Sequence, residues 1–238
     1  MAQFFRSREF IGLLVGFIAI LVSFLPYYLF YACVFILSFL IGFEVSKVLG
    51  KDSYYPTALT FLTGSVALEL GIVASLLLSL YAGWKSWHME DMLKGMLICI
   101  YAGLLPVFLL ELKSIEGYQI LKLLLFVWAV DVFSYYVGKN LGRHPMAPRL
   151  SPKKTWEGLL GGAVAGLVVL LAFHGLVGFV WSMLLIPSAV MGDLFKSFIK
   201  RQVGVKDFSG VLGEHGGFTD RFDSLLFTAP VYVFLLKL

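Results

Sequence analysis

Charge is what this chain has least of. Only 14% of its 238 residues are charged, where a soluble domain carries roughly a quarter. That shortage excludes an ordinary water-soluble fold. Cysteine is scarce too: Cys33 and Cys99 both lie in apolar runs. They suit neither a disulfide framework nor a metal-ligand pair, and read as small core residues. No strong excess of one sign exists. The formal charge of +4 argues against nucleic acid and only mildly for an anionic lipid or nucleotide. No internal repeat, low-complexity tract or soluble-domain stretch is visible, and the apolar runs are continuous rather than alternating. Continuous runs exclude a transmembrane β-barrel.

What is abundant is apolar length. Hydrophobic residues make up 59% and aromatics 16%. Runs at about 10–25, 27–46, 56–83, 92–110, 117–138, 157–175, 176–195 and 223–237 recur at the scale needed to cross roughly 30 Å of hydrocarbon. The chain therefore reads as an all-α, polytopic membrane protein, one domain over 1–238, with N-terminal spans in 1–116 and a second part in 117–238. The start, MAQFFRSREF before an apolar run, has the form of a signal sequence. No Ala-x-Ala-like cleavage site precedes Pro26, so a retained first span is expected.

Basic loops orient the spans. Loop 139–154 holds Lys139, Arg143, Arg149, Lys153 and Lys154; loop 196–221 holds Lys196, Lys200, Arg201, Lys206 and Arg221. Both belong inside by the positive-inside rule. The run 56–83 is too long for one span and is interrupted by Gly64-Ser65 and Glu69. Dividing it in two places Arg6, Arg8, Lys47 and Lys51 inside as well. The expectation is about nine transmembrane helices, N-terminus cytoplasmic and C-terminus outside. Tyr27, Tyr28, Tyr54, Tyr55, Trp84, Trp87 and Trp156 fall near span ends, as an aromatic belt would. Glu44 and Glu69 read as span-boundary or packing residues.

One polar island stands out: Ser197 to Asp223. Leading into it, Asp193, Lys196, Ser197 and Lys200 share one helical face at i, i+3, i+4 and i+7. An acid near a membrane boundary is costly unless paired or metal-bound. An Asp193 pair with Lys196 or Lys200 is the plain alternative to a ligand role. Asp220 and Asp223 are i, i+3, so they point the same way from a helix start, where capping competes with catalysis. With Asp193 they would suit Mg²⁺, which takes a few carboxylates and completes its shell with water and phosphate oxygens. Lys200, Arg201, Lys206 and Arg221 suit polyphosphate. His215 precedes Gly216-Gly217, whose backbone can approach an anion closely or act as a hinge.

A second polar cluster runs from Asp131 to Gly158. Asp131 lies within an apolar run with Ser134 one turn on, and an intramembrane acid is a functional candidate by default. Ser151-Pro152-Lys153-Lys154-Thr155-Trp156-Glu157-Gly158 reads as a basic loop entering a helix, with Thr155 as N-cap and Glu157 in the first turn.

These residues carry a resemblance. The elements Ser197-x-x-Lys200-Arg201, Lys206-Asp207, Gly213-x-His215-Gly216-Gly217 and Asp220-Arg221-x-Asp223 resemble the signature of the phosphatidate cytidylyltransferase (CDP-diacylglycerol synthase) family. The Ser151–Gly158 block is similar to a second block of that family, and Asp131 and Gly192-Asp193 fall where the family has acids. The resemblance implies that CTP and phosphatidate give CDP-diacylglycerol and pyrophosphate with Mg²⁺, and leaves a second cation open. It implies that 117–238 is the catalytic part, with metal binding by Asp193, Asp220 and Asp223. It implies catalytic roles for Asp220, Lys200, Lys206, Asp207, His215 and Arg221. Substrate contacts are implied for Ser197, Arg201, Gly216, Gly217, Ser151, Lys153, Lys154 and Asp131. A homodimer in the inner (cytoplasmic) membrane, with its active site facing the cytoplasm, is implied as well.

Two rivals compete. A CTP-dependent lipid kinase of the polyprenol type has similar architecture and would release CDP. A secondary transporter would explain Asp131, Glu69 and a broken helix near Gly64, yet the charge gathers at one face, and no inverted repeat is present.

Overall fold

The computed structural model describes residues 8–51, 54–211 and 216–238, with side chains from Leu14 onward. Thirteen elements follow in order: α1 (Arg8–Ser23), α2 (Tyr27–Val48), α3 (Tyr55–Val66), α4 (Leu68–Ser86), α5 (Met89–Ile98), a π-helical turn (Cys99–Leu104), α6 (Val107–Ile115), α7 (Gln119–Leu141), β1 (Pro145–Ala147), β2 (Ser151–Thr155), α8 (Trp156–His174), α9 (Val177–Gln202) and α10 (Thr219–Leu236). The chain is a helical membrane protein, as its composition requires. Two compact units form. One takes the described residues up to Tyr118 together with Val205–Phe222; the other takes Gln119–Gly204 with Asp223–Leu238.

Six helices among the described residues are long and apolar enough to cross a membrane: Tyr27–Val48, Leu68–Ser86, Met89–Ile115, Gln119–Leu141, Trp156–His174 and Val177–Gln202. These six do not confirm the expected count of nine. The run 56–83 does divide, because Ala67 is extended (φ −154°, ψ 134°) between α3 and α4. Yet α3 has only 12 residues, about 18 Å of helix, well short of the hydrocarbon thickness. α10 carries Asp220, Arg221 and Asp223 in its first turns, which leaves too short an apolar stretch. The expected loop 84–94 shrinks to Trp87-His88, since α5 already begins at Met89. The seven aromatics expected at span ends are all exposed.

In the first unit, a proline shapes the middle helix. Pro106 has no N–H, so the carbonyl of Ala102 loses its helical partner. The preceding turn widens to a π-helix, with Leu105 N donating to Ile100 O at 3.0 Å. Ser38 of α2 donates its hydroxyl to the freed Ala102 carbonyl at 2.6 Å. Lys113 of α6 similarly reaches the last carbonyl of α1, Ser23 O, at 2.6 Å, placing a cation at a helix C-terminus.

In the second unit, α8 lies against α7 along a stripe of small residues. Gly158, Gly162 and Gly166 recur every four residues and are buried. A Cβ on Gly162 would stand 2.6 Å from the Val130 carbonyl oxygen of α7. Such stripes let membrane helices approach backbone to backbone. At one end of this pair, Tyr232 of α10 donates to Gln119 at 2.7 Å and meets His174 Nε2 at 2.9 Å. At the other end, α7 and α8 are joined by the β1–β2 hairpin.

Gly162→Leu should force these helices apart at a cost of about 1–3 kcal/mol or more. In detergent the unfolding midpoint should fall by roughly 5 °C. An unchanged midpoint would contradict the close α7–α8 contact.

Candidate active site

The hairpin was not foreseen. Its strands pair antiparallel, Pro145 opposite Thr155 and Ala147 opposite Ser151. Three devices fix it. Trp156 N donates to His144 O at 3.0 Å. Glu157 accepts from Arg143 N at 3.1 Å and His144 N at 3.3 Å, and its other oxygen meets the His144 ring at 2.6 Å. Arg201 of α9 donates from Nε to Leu150 O at 3.2 Å. Thr155 caps α8 as expected, accepting from Gly158 N at 3.2 Å.

Strand alternation then separates the two lysines that sequence treats as one block. Lys153 is exposed. Lys154 turns the other way and pairs with Asp193 Oδ2 of α9. Asp193 Oδ1 accepts from Lys196 at 3.0 Å, one turn along α9. Lys196 also reaches Asp223 Oδ2 of α10 at 2.7 Å. The result is a chain of alternating charge, Lys154–Asp193–Lys196–Asp223. It is largely withdrawn from solvent, with the Lys196 and Asp223 side chains 12% and 7% exposed. Gly192 permits the approach, because a Cβ there would stand 2.6 Å from the Asp223 carbonyl oxygen. Asp131 of α7 lies within electrostatic range of all four groups. Ser197 donates to Asp193 O at 2.9 Å, so its hydroxyl is engaged along its own helix. Lys200 sits half-buried on the same face. Ser151 stands at the start of β2.

The remaining predicted residues belong to the first unit. Lys206, Asp207 and Arg221 are exposed. Asp220 Oδ2 accepts two backbone amides, Phe208 N and Gly217 N, each at 3.1 Å. Gly216 has φ +77°, and a Cβ there would stand 2.6 Å from Asp220 Oδ2. That position demands glycine on both counts. A Cβ on Gly217 would collide with the Glu44 carboxylate. An open groove of about 530 Å³ runs beside this loop, lined in part by Phe43, Lys47, Asp207 and Val211. His215 and Gly213 lie outside the described residues.

Sequence reasoning gave no site role to Lys196, Glu44 or Glu157. Lys196 carried a signal, its i+3 spacing from Asp193. Glu44 carried one too, as an acid in an apolar run.

No group of three or more His, Cys, Asp or Glu among the described residues is placed to hold a metal ion. Asp193 and Asp223 nevertheless approach closely enough for one ammonium to bridge them. This donor set fits a hard cation that takes one or two carboxylates and leaves its other positions to water and phosphate. Asp220 is engaged differently, by backbone amides.

Lys196→Met should leave Asp223 buried beside Asp193 without a bridging cation. Breaking a buried pair costs about 3–5 kcal/mol, so the midpoint in detergent should fall markedly. Adding Asp223→Asn should recover most of the loss. Equal midpoints for wild type and Lys196→Met would refute the bridge.

A model described as the cytidylyltransferase family matches residues 6–238. The phosphatidate cytidylyltransferase of Aquifex aeolicus is 44% identical over 238 residues, covering 98% of this chain and 92% of that protein. Those of Rickettsia bellii and Bacillus subtilis are 36% and 32% identical, covering 63% and 74% of this chain and 74% and 70% of theirs. A match over nearly the whole chain, on a helical membrane fold that brings Asp193 and Asp223 into one chain of charge, makes this chain a member of the cytidylyltransferase family.

Proposed function

We propose that this enzyme transfers the cytidylyl group of CTP to phosphatidate, giving CDP-diacylglycerol and pyrophosphate. The observation that carries the reading is the Lys154–Asp193–Lys196–Asp223 chain of charge, in a protein 44% identical to a phosphatidate cytidylyltransferase. The kinase and transporter alternatives have no comparable support.

The chemistry asks little in the way of proton transfer. A phosphatidate phosphate oxygen is already anionic and forms a bond to the CTP α-phosphorus. The bond from that phosphorus to the bridging oxygen breaks, and pyrophosphate leaves with the electron pair. The difficulty is bringing two anions together and stabilising the charge that moves to the leaving group. Lys200, Arg201, Lys206 and Arg221 serve the phosphates, Arg as a fork and Lys as a point charge. Ser151, Lys153, Lys154, Ser197, Gly216, Gly217 and Asp131 serve substrate placement, and Asp207 and His215 complete the catalytic set. Asp193 and Asp223, with Asp220 by motif, would hold Mg²⁺, which when bound supplies Lewis-acid neutralisation of phosphate charge. A second cation is compatible with this many acids. Lys196 stands between Asp193 and Asp223 and offsets the repulsion between the two carboxylates.

We place the enzyme in the cytoplasmic membrane with the basic hairpin and Lys200–Arg221 facing the cytoplasm, where CTP is available. The excess of Lys and Arg in those segments supports this side. Two copies per assembly is part of the same reading.

Purified protein given CTP, Mg²⁺ and phosphatidate should yield CDP-lipid and pyrophosphate; CDP and a phosphorylated lipid would favour the kinase. Asp223→Asn and Asp220→Asn should each lower kcat by about 100-fold or more, and near-normal turnover would sink their assignments. For orientation, Lys47→Cys and Lys153→Cys should react with an impermeant thiol reagent from the same membrane side. Labelling from opposite sides would overturn it.

A further inference from the structure

Glu44 is 2% exposed and lies in the last turns of α2. An ionised carboxylate so placed is costly unless every lone pair is used. Here both oxygens are filled. Oε1 accepts from Ser209 Oγ at 2.6 Å and Phe218 N at 3.0 Å. Oε2 accepts from Thr219 N at 2.8 Å and Thr219 Oγ1 at 2.7 Å. All four donors come from residues at least 165 positions away in sequence. They also come from both arms of one loop, Ser209 on the outgoing side and Phe218-Thr219 on the return. Asp220 ties the neighbouring rung, joining Phe208 to Gly217. The neck of the loop is thus closed by two carboxylates, one of its own and one supplied by α2. Glu44 also meets amides at the start of α10, which have no intrahelical acceptor and carry the positive end of the helix dipole.

We propose that Glu44 is a positioning residue for the reaction: it ties Ser209 to the start of α10 and so sets the placement of Lys206 and Asp207 on one side and of Asp220 and Arg221 on the other. The inference rests on the cytidylyltransferase reading for the roles of those residues. It does not make Glu44 a group that touches substrate. Its action is on the transition state, because displacing a catalytic group by an ångström costs far more in rate than in ground-state binding.

Two acceptor oxygens are required. In Glu44→Gln one oxygen becomes an NH₂, which faces donors and leaves at least one backbone amide without an acceptor. Wild type, Glu44→Gln, Ser209→Ala and Thr219→Val are purified as monodisperse protein and assayed with CTP, Mg²⁺ and phosphatidate. Glu44→Gln should lose about 30- to 100-fold in kcat while both KM values stay within about 3-fold. Ser209→Ala and Thr219→Val, which each remove one hydroxyl donor and keep the amides, should lose roughly 3-fold in kcat. Thr219→Val should add nothing in the Glu44→Gln background, since the two share an interaction. A Glu44→Gln kcat equal to wild type, or additive losses in the double variant, overturns the proposal. If Glu44→Gln does not fold, the hydroxyl variants decide it: a kcat loss at unchanged KM supports the proposal, and wild-type kcat in both refutes it. Wild-type protein that makes no CDP-lipid refutes the functional reading instead, so the two failures are distinguishable.

Discussion

The constraint on which this structure depends is the cost of charge inside an apolar helical protein. Lys196 meets it by standing between Asp193 and Asp223, with Lys154 closing the far side. Each acid thereby has a cation, and each cation at least one acid. A chain with so few charged residues does not spend them at random. Those it places deeply are organised as alternating sign, the arrangement in which burial is least unfavourable. The helix contacts around the chain of charge follow from it: Gly192 thins α9 where α10 must approach, and the glycine stripe of α8 brings α7 close.

Hydrogen bonding to backbone is the second means of stabilising buried charge. Glu44 accepts from two backbone amides and two hydroxyls, and Asp220 Oδ2 accepts from two backbone amides. Glu157 does the same for the hairpin. In each case a carboxylate fixes a polar segment by accepting from its backbone amides. One of these acids, Glu44, lies outside the signature residues whose segment it holds.

For the reaction, this division of labour matters. Lysines and arginines must meet two polyanionic substrates, yet they must not collapse onto the acids permanently. Pairing Asp193 with two lysines at once leaves no unpaired charge at that acid.

Much was legible in the sequence. Apolar runs and sparse charge determined a polytopic helical membrane protein, because the bilayer accepts little else. Fixed spacings determined the family: Asp220-Arg221-x-Asp223, the Gly216-Gly217 step and the Lys153-Lys154 block are local patterns and survive without coordinates. The Thr155 cap and the break inside 56–83 were equally local. What the sequence left open are contacts between residues distant in the chain. The pairing of Lys154 rather than Lys153 with Asp193 depends on the strand phase of a hairpin. The capture of Ser209, Phe218 and Thr219 by Glu44 joins residues about 170 positions apart. The span count depended on where α3 ends and α5 begins, and therefore on Ala67 and on backbone geometry that hydropathy does not encode. Periodicity reports which face of a helix is apolar; only the packed chain decides which distant donor fills a buried acceptor.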